Sequence, residues 1–308
     1  MSDAPAPRGI DWLMVAGLGL TWGATFMVIE LALEGITPFW LAAGRITFAA
    51  VLTLAIWQYR GGALFATPPA LIDRARLVLV SALSAAVPFT LLSWGQQYVT
   101  SGFAGVSMAA VALIVLPLAH LLVPGERLNA RKALGFVIGF AGVVVLIGPK
   151  AFGSSGADLE FWGQLACLGA AASYALTSVQ MRLFPKIDTI GLSAVTFTIG
   201  AGFVVTAAWI AEGPPPLPDM RTLTILAILG LVPTAGAGLL RVVVVRNAGP
   251  TFMSLTSYQV PVWSVILGAV FLGEDLPASI ILAMVLILLG LALSQWGALR
   301  RLFARRQV

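Results

Sequence analysis

Apolar residues in this sequence fall into ten long runs that are separated by short polar connections. A run of about 20 apolar residues is long enough to cross the hydrocarbon core of a bilayer, which is roughly 30 Å thick. We therefore predict ten membrane-spanning helices. Their approximate ranges are Trp12–Leu33, Phe39–Tyr59, Leu77–Gln97, Gly102–Val123, Lys132–Gly148, Phe161–Leu183, Thr189–Ala211, Leu223–Val245, Thr251–Leu272 and Ser279–Trp296.

The composition agrees with this pattern. Hydrophobic residues make up 59% of the 308 positions, charged residues only 10%, and the mean hydropathy is +0.97. A soluble protein carries about 25% charged residues, so this chain has too little polar surface for a water-soluble globule. The phosphate-binding pattern GxxxxGK[ST] does not occur in the sequence, so we expect no ATPase function, no ATPase partner and no cofactor.

The basic residues predict the orientation, because loops on the cytoplasmic side of a membrane accumulate lysine and arginine. With the N-terminus in the cytoplasm, 14 of the 18 basic residues lie on the inner side. Lys150 and Arg221 lie outside, and Arg45 and Arg241 fall within spans. We expect a bacterial inner-membrane protein with both termini in the cytoplasm, whose basic surface faces lipid headgroups and not nucleic acid.

The chain also contains an internal repeat. The stretch TSGFAGVSMAAVALIVLPLAHLLVPGERL ends at Leu128, and AGPTFMSLTSYQVPVWSVILGAVFLGEDL ends 148 residues later at Leu276. Both end in Gly-Glu-x-Leu. We expect a cytoplasmic tail at 1–10, a first five-helix repeat at 11–152, a second at 153–298, and a basic cytoplasmic tail at 299–308.

The odd number of spans per repeat determines the architecture. A second copy of five spans enters the membrane from the opposite side, so the two halves are inverted and related by a pseudo-two-fold axis in the membrane plane. The predicted fold is an all-α integral membrane protein of ten transmembrane helices, arranged as two inverted five-helix repeats. This architecture suits alternating access, because two packings of the halves open the centre to opposite sides.

Four prolines lie inside matching spans of the two halves, at Pro88, Pro117, Pro233 and Pro261. Each removes a backbone donor and distorts its helix, and freed carbonyl groups within a membrane are tolerated where protein or a cavity satisfies them. We interpret the prolines as gating or hinge positions around a central site. The alternative is helix bending for packing alone.

Aromatic and neutral polar side chains supply a candidate lining for that site. An indole N–H or a tyrosine hydroxyl in the bilayer core needs a hydrogen-bonding partner, and such a lumen suits a zwitterionic or weakly polar solute with an apolar side chain. Ordinary interhelical packing is the alternative for each residue. The candidates are Trp22, Ser93, Trp94, Gln97, Tyr174, Ser178, Tyr258, Gln259 and Trp263.

Charged residues inside spans are usually functional, and four need interpretation: Glu30, Arg45, His120 and Arg241. We expect Glu30 and Arg45 to form a structural salt bridge in the first outer hairpin. For Arg241 the alternatives are contact with headgroups and binding of a carboxylate; for His120 they are packing and proton transfer. Since the sequence places no carboxylate at the centre of a span, it disfavours cation extrusion and favours facilitated diffusion or exchange over proton antiport.

The sequence resembles the drug/metabolite transporter superfamily, and within it the ten-span permeases of the EamA type. The resemblance rests on the two Gly-Glu-x-Leu stretches, on TWGATF at Thr21–Phe26 and on Arg45. In the second repeat Ser173-Tyr174 and Thr196 stand at the corresponding places. The resemblance implies that spans one, three, four, six, eight and nine surround the substrate, that spans five and ten are peripheral, and that related bacterial proteins export aromatic and other neutral amino acids.

The predicted function is therefore a secondary transporter that exports small metabolites, most of all amino acids, by alternating access. One alternative is an exchanger of organic anions or sugar phosphates that uses Arg45 and Arg241 as counter-charges. A remote alternative is an intramembrane enzyme. We expect no enzyme and no metal site, because the sequence has no GxSxG motif, one histidine and no central pair of carboxylates.

Overall fold

The structure is a computed structural model that describes residues 7–65, 68–123, 126–148, 159–185 and 187–304. The predicted boundary between the repeats at 152 and 153 lies outside these ranges. Gly125 of the first Gly-Glu-x-Leu motif and four of the basic residues counted above also lie outside them: Lys150, Lys186, Arg305 and Arg306.

Ten long helices make up the described chain, which confirms the predicted all-α fold. They are α1 (Gly9–Leu33), α2 (Pro38–Tyr59), α3 (Leu71–Gly95), α4 (Ser101–Leu122), α5 (Ala130–Ile147), α6 (Leu159–Gln180), α7 (Thr189–Glu212), α8 (Met220–Ala248), α9 (Pro250–Leu272) and α10 (Ala278–Ala304).

Nine of these helices within the described ranges are long and apolar enough to cross a membrane. The tenth, α6, has 22 residues and is less apolar because it carries Glu160, Gln164, Thr177 and Gln180. It packs against α3 and α4, so protein neighbours cover part of its polar surface.

The helix pairs in contact follow the predicted two-fold relation. The pairs α2–α7 and α5–α10 each join equivalent helices of the two repeats, and the packing of α1 on α9 matches that of α4 on α6. Glycines allow these close approaches. Gly19 and Gly23 of α1 lie against Gln259 and Trp263 of α9.

The two ends of the bundle differ in charge. We call the end where α1 begins and α2 ends the arginine-rich face, since Arg60, Arg74, Arg127 and Arg246 lie there. We call the opposite end the acidic face, after Glu34, Glu212, Asp219 and Glu274.

Replacing Gly135 with alanine tests the α5–α10 contact. The added Cβ would lie 2.5 Å from the Gly290 carbonyl oxygen and 2.8 Å from the Ser294 nitrogen, so a backbone must move. We expect a loss of about 1–3 kcal/mol, the usual range for overpacking, measured as a lower thermal unfolding midpoint of the purified protein. The matched control is Gly17→Ala, where a Cβ meets nothing within 4 Å. Equal midpoints for the two variants would contradict close α5–α10 packing.

Candidate substrate site and the acidic face

Arg45 lies near the middle of α2, about two turns inside its first residue. The residue is only 5% exposed. Its Nε donates a hydrogen bond of 2.8 Å to the Thr234 Oγ1 of α8, and its guanidinium carbon lies 4.1 Å from the centre of the Phe89 ring of α3. Tyr174 of α6 is close enough to interact with it electrostatically. Arg45 therefore connects four helices from both repeats.

The predicted Glu30–Arg45 salt bridge is wrong. Arg45 is directed to Thr234 and Phe89, whereas Glu30 lies in the last turn of α1 beside Glu274 and Ser101. The prediction placed both residues at a similar depth, but Arg45 lies about one turn deeper in α2 than Glu30 does in α1. In the described part of the chain, no carboxylate lies within 4.0 Å of the Arg45 guanidinium.

Two π-helical turns occupy equivalent places in the repeats. They span Ala82–Ala86 in α3 and Gly230–Gly236 in α8, so their first residues are 148 positions apart, the offset of the repeat itself. Pro88 lies just after the first turn and Pro233 lies within the second. Such turns often occur at functional sites because they interrupt the regular ladder of backbone hydrogen bonds.

The second π turn is held by side chains of the first repeat. Trp22 of α1 donates from its indole nitrogen to the Pro233 carbonyl oxygen at 3.0 Å. Thr234, which accepts from Arg45, donates to the Leu229 carbonyl oxygen at 2.7 Å. Trp22 and Arg45 thus satisfy neighbouring groups of one irregular turn in α8.

Other predicted lining residues fall into two groups. Tyr174 lies beside Arg45, and its carbonyl oxygen accepts a bond of 2.9 Å from Ser178 Oγ. Trp263 and Gln259 of α9 lie next to the α1 glycines that flank Trp22. The Tyr258 hydroxyl is buried and has no hydrogen-bond partner among the described atoms.

The remaining candidates, Ser93, Trp94 and Gln97, lie at or just beyond the C-terminal end of α3. Because α3 begins at Leu71 and ends at Gly95, Trp94 lies in its last turn and not at the depth of Trp22. It packs on Tyr98, with ring centres 5.1 Å apart. Gln97 is exposed beyond the helix end and donates to the Trp94 carbonyl oxygen at 3.3 Å, and Ser93 is buried. Trp94 and Gln97 therefore lie towards the acidic face, away from Arg45.

The remaining charged and proline candidates are dispersed. Arg241 lies towards the arginine-rich end of α8, and its side chain is exposed. His120 is exposed, with Nδ1 3.3 Å from the Glu126 carbonyl oxygen. Pro117 and Pro261 lie inside α4 and α9, and their role as hinges stays a prediction.

Two carboxylates at the acidic face cap helices of the first repeat, a role that the sequence did not predict for them. Glu274 accepts hydrogen bonds from the backbone nitrogens of Ser101 and Gly102, at 2.7 and 3.0 Å. Glu212 accepts from those of Phe39 and Trp40, at 3.2 and 3.3 Å. Carboxylates at helix N-termini complement the unsatisfied N–H groups and the helix dipole.

Both contacts join the second repeat to the first, because Glu274 and Glu212 cap α4 and α2. The repeated Gly-Glu pair drew attention to Glu274 in the sequence. Its partner could not be read from the sequence, since the contact spans 173 residues.

Arg45 does not line either of two apolar cavities in the described structure. One, of about 330 Å³, is bounded by Trp40, Phe48 and Val205; the other, of about 240 Å³, is bounded by Leu113, Phe136 and Leu168. Neither is lined by a charged residue, so neither suits a charged solute. Arg45 itself is enclosed by packed side chains.

Comparison with known proteins places this arrangement in a family. The chain matches the EamA-like transporter family over residues 9–148 and 161–296. It is 27% identical over 284 residues to the "Uncharacterized inner membrane transporter YedA" of Escherichia coli K12, covering 89% of each chain. It is 25% identical to the "Uncharacterized transporter YoaV" of Bacillus subtilis, covering 96% of this chain and 98% of that protein.

A solved crystal structure has the same fold, with a TM-score of 0.66 and 22% identity over 96% of this chain and 99% of that one. The family match extends over both five-helix halves and nearly the whole described chain. This protein is a multi-pass membrane transporter that belongs to the EamA-like transporter family of the drug/metabolite transporter superfamily.

Proposed function

We propose that this transporter exports neutral amino acids, aromatic ones among them, by alternating access, and that Arg45 binds the carboxylate of the solute. The observation that supports this is the buried guanidinium near the middle of α2 without a carboxylate partner in the described structure. A guanidinium is always charged and binds a carboxylate through two parallel hydrogen bonds.

The energetics favour a solute as the missing counter-charge. An ion taken out of water loses several kcal/mol of solvation even after the protein relaxes, and Thr234 and Phe89 replace only part of it. A carboxylate that enters this site is stabilised by the unpaired positive charge of the Arg45 guanidinium. An apolar side chain on the same solute finds aromatic neighbours in Trp22, Tyr174 and Trp263.

The π turn of α8 offers a way to connect binding to movement. Arg45 donates to Thr234 in this turn, and a solute carboxylate would compete for the same guanidinium. Binding would therefore weaken one connection between α2 and α8. A ligand shifts a conformational equilibrium only by its differential affinity for the two states, and this competition supplies such a difference.

The arginine-rich face is the cytoplasmic face in this proposal, as the distribution of basic residues favours. The acidic face is then external. Glu274 joins the second repeat to the first turn of α4 there, so in this proposal the conformation described is closed towards the outside. The outward-open state would break the Glu274 contacts.

A second candidate is the exchange of organic anions, which also uses Arg45 and adds Arg241. The accessible Arg241 side chain on α8 is the observation that favours it. The two candidates differ in one respect: an amino acid carries an ammonium group that an organic anion lacks.

Counterflow in proteoliposomes tests the proposed substrate class. Vesicles are preloaded with one unlabelled amino acid, and the entry of labelled phenylalanine, threonine or methionine is followed without an ion gradient. We expect transient accumulation for at least one amino acid, because an exchanger uses the outward solute gradient. Vesicles without protein are the control. Export that requires a pH gradient, and stops when only a membrane potential remains, would contradict exchange.

Arg45→Gln tests the role of the central arginine. A hydrogen bond to a charged group contributes about 1.5–3 kcal/mol, so we expect counterflow to need a solute concentration about 10–100-fold higher. The thermal unfolding midpoint should change little, because removing a buried and unpaired charge offsets the loss of the Thr234 and Phe89 contacts. Arg241→Gln is the matched control. If Arg241→Gln has the larger effect on carboxylate transport, the Arg45 assignment is wrong. If Arg45→Gln fails to fold, its role is structural.

A further inference from the structure

Glu30 and Glu274 bring two carboxyl groups together at the acidic face. The Glu30 side chain lies close to the Glu274 carboxyl group and to the first turn of α4 at Ser101. Glu30 Oε2 is buried and has no hydrogen-bond donor directed at it among the described residues. Glu34 is the other charged group that acts on Glu30, and Arg221 partly neutralises it through an ion pair of 3.0 Å.

A third buried group completes this cluster. Ser101 is fully buried, and its Oγ has no hydrogen-bond partner in the described structure. A Cβ built on Gly268 would meet both Ser101 Oγ and the Glu274 carboxyl group, so the hydroxyl lies near Glu274. The site thus contains two carboxyl groups, two backbone N–H donors and an unpartnered hydroxyl.

The two carboxyl groups are not equivalent. Glu274 accepts from Ser101 and Gly102 at the first turn of α4, where the helix dipole and free N–H groups favour a negative charge. Both of these hydrogen bonds go to Glu274, and neither goes to Glu30. Two carboxylates in contact disfavour double ionisation. The arrangement is satisfied when Glu274 is ionised and Glu30 carries a proton that it donates to Glu274.

We propose that Glu30 and Glu274 form a proton-binding site whose occupation by one proton closes the external gate of the transporter. The bound proton removes the repulsion between α1 and the α9–α10 connection, and it leaves Glu274 free to cap α4. When the gate opens, the carboxyl groups separate, water solvates both, and the proton leaves.

The proton enters and leaves on the external side, so the site regulates the gate and does not couple transport to a proton gradient. It is therefore compatible with counterflow in the absence of an ion gradient. The inference depends on the alternating access and orientation proposed above, and it is independent of the identity of the solute. Acid outside the cell should hold the gate shut, and alkali should favour its opening.

A distance measurement between spin labels tests this directly and needs no solute. The native cysteine is first removed by Cys167→Ser. Cysteines for labelling then replace Gln97 and Leu276. Gln97 is exposed beyond α3, and Leu276 is 44% exposed in the α9–α10 connection. Distance distributions between the two spin labels are recorded by pulsed electron paramagnetic resonance on the full chain in lipid nanodiscs. We expect one short distance at about pH 5 and an additional longer distance at about pH 8.5. These two pH values lie on either side of the range in which a shared carboxyl proton titrates.

Glu30→Gln is the decisive variant, because the amide keeps the shape of the protonated acid and donates to Glu274. It should give the short distance at both pH values. Glu212→Gln is the matched control: Glu212 also caps a helix at this face. It should keep the pH response of the parent.

Three outcomes would overturn the proposal: no pH response in the parent, a full response in Glu30→Gln, or loss of the response in Glu212→Gln. If Glu30→Gln does not fold, Glu274→Gln replaces it; we expect no pH response and a larger share of the long distance, and a retained response would overturn the proposal. A failure of amino acid counterflow leaves these distances unaffected, so the two proposals fail separately.

Discussion

The buried charge of Arg45 is the constraint on which the centre of this transporter depends. A guanidinium cannot lose its proton within the protein, and a membrane interior offers no water to solvate it. The guanidinium is instead surrounded by a hydroxyl group from α8, an aromatic ring from α3 and a tyrosine from α6. These contacts hold helices of both repeats around one point. Any movement of the repeats must rearrange them.

The inverted repeat makes the scaffold symmetric, while individual side chains break that symmetry. The π turns of α3 and α8 start at equivalent positions, and equivalent helices pair across the two-fold axis. Yet Thr196 stands in the second repeat where the first has Arg45, and its Oγ1 is buried without a partner in the described structure. A symmetric scaffold can alternate between two similar states, whereas an asymmetric site binds a solute in a single orientation.

Much of the fold could be predicted from the sequence, because a bilayer imposes simple rules on helix length and charge. The apolar runs and the 148-residue offset were sufficient for the all-α architecture, whereas the close contact of Gly19 and Gly23 with α9 came from the structure. The predicted ends of the first two spans next to Glu30 and Arg45 agree with the structure to within one residue, so the predicted salt bridge failed for another reason: the Arg45 side chain is directed to α8 and α3. Trp94 lies near a helix end because α3 ends at Gly95.

The residue contacts between the two repeats could not be predicted from the sequence. Glu274 with Ser101, and Arg45 with Thr234, join residues more than 170 positions apart, and periodicity within a helix does not indicate which distant helix it faces. The sequence did supply the chemical candidates: Trp22, Arg45 and Tyr174 were all singled out, and the structure shows that they lie around the π turn of α8.

Equilibrium binding of three related ligands to the purified protein tests the central claim most directly. Phenylalanine has a carboxylate and an ammonium group, 3-phenylpropionate lacks the ammonium group, and phenethylamine lacks the carboxylate. If Arg45 binds a solute carboxylate, phenylalanine should bind and phenethylamine should not, whereas binding of 3-phenylpropionate distinguishes an anion site from an amino acid site. Binding of phenethylamine as tight as that of phenylalanine would contradict the account.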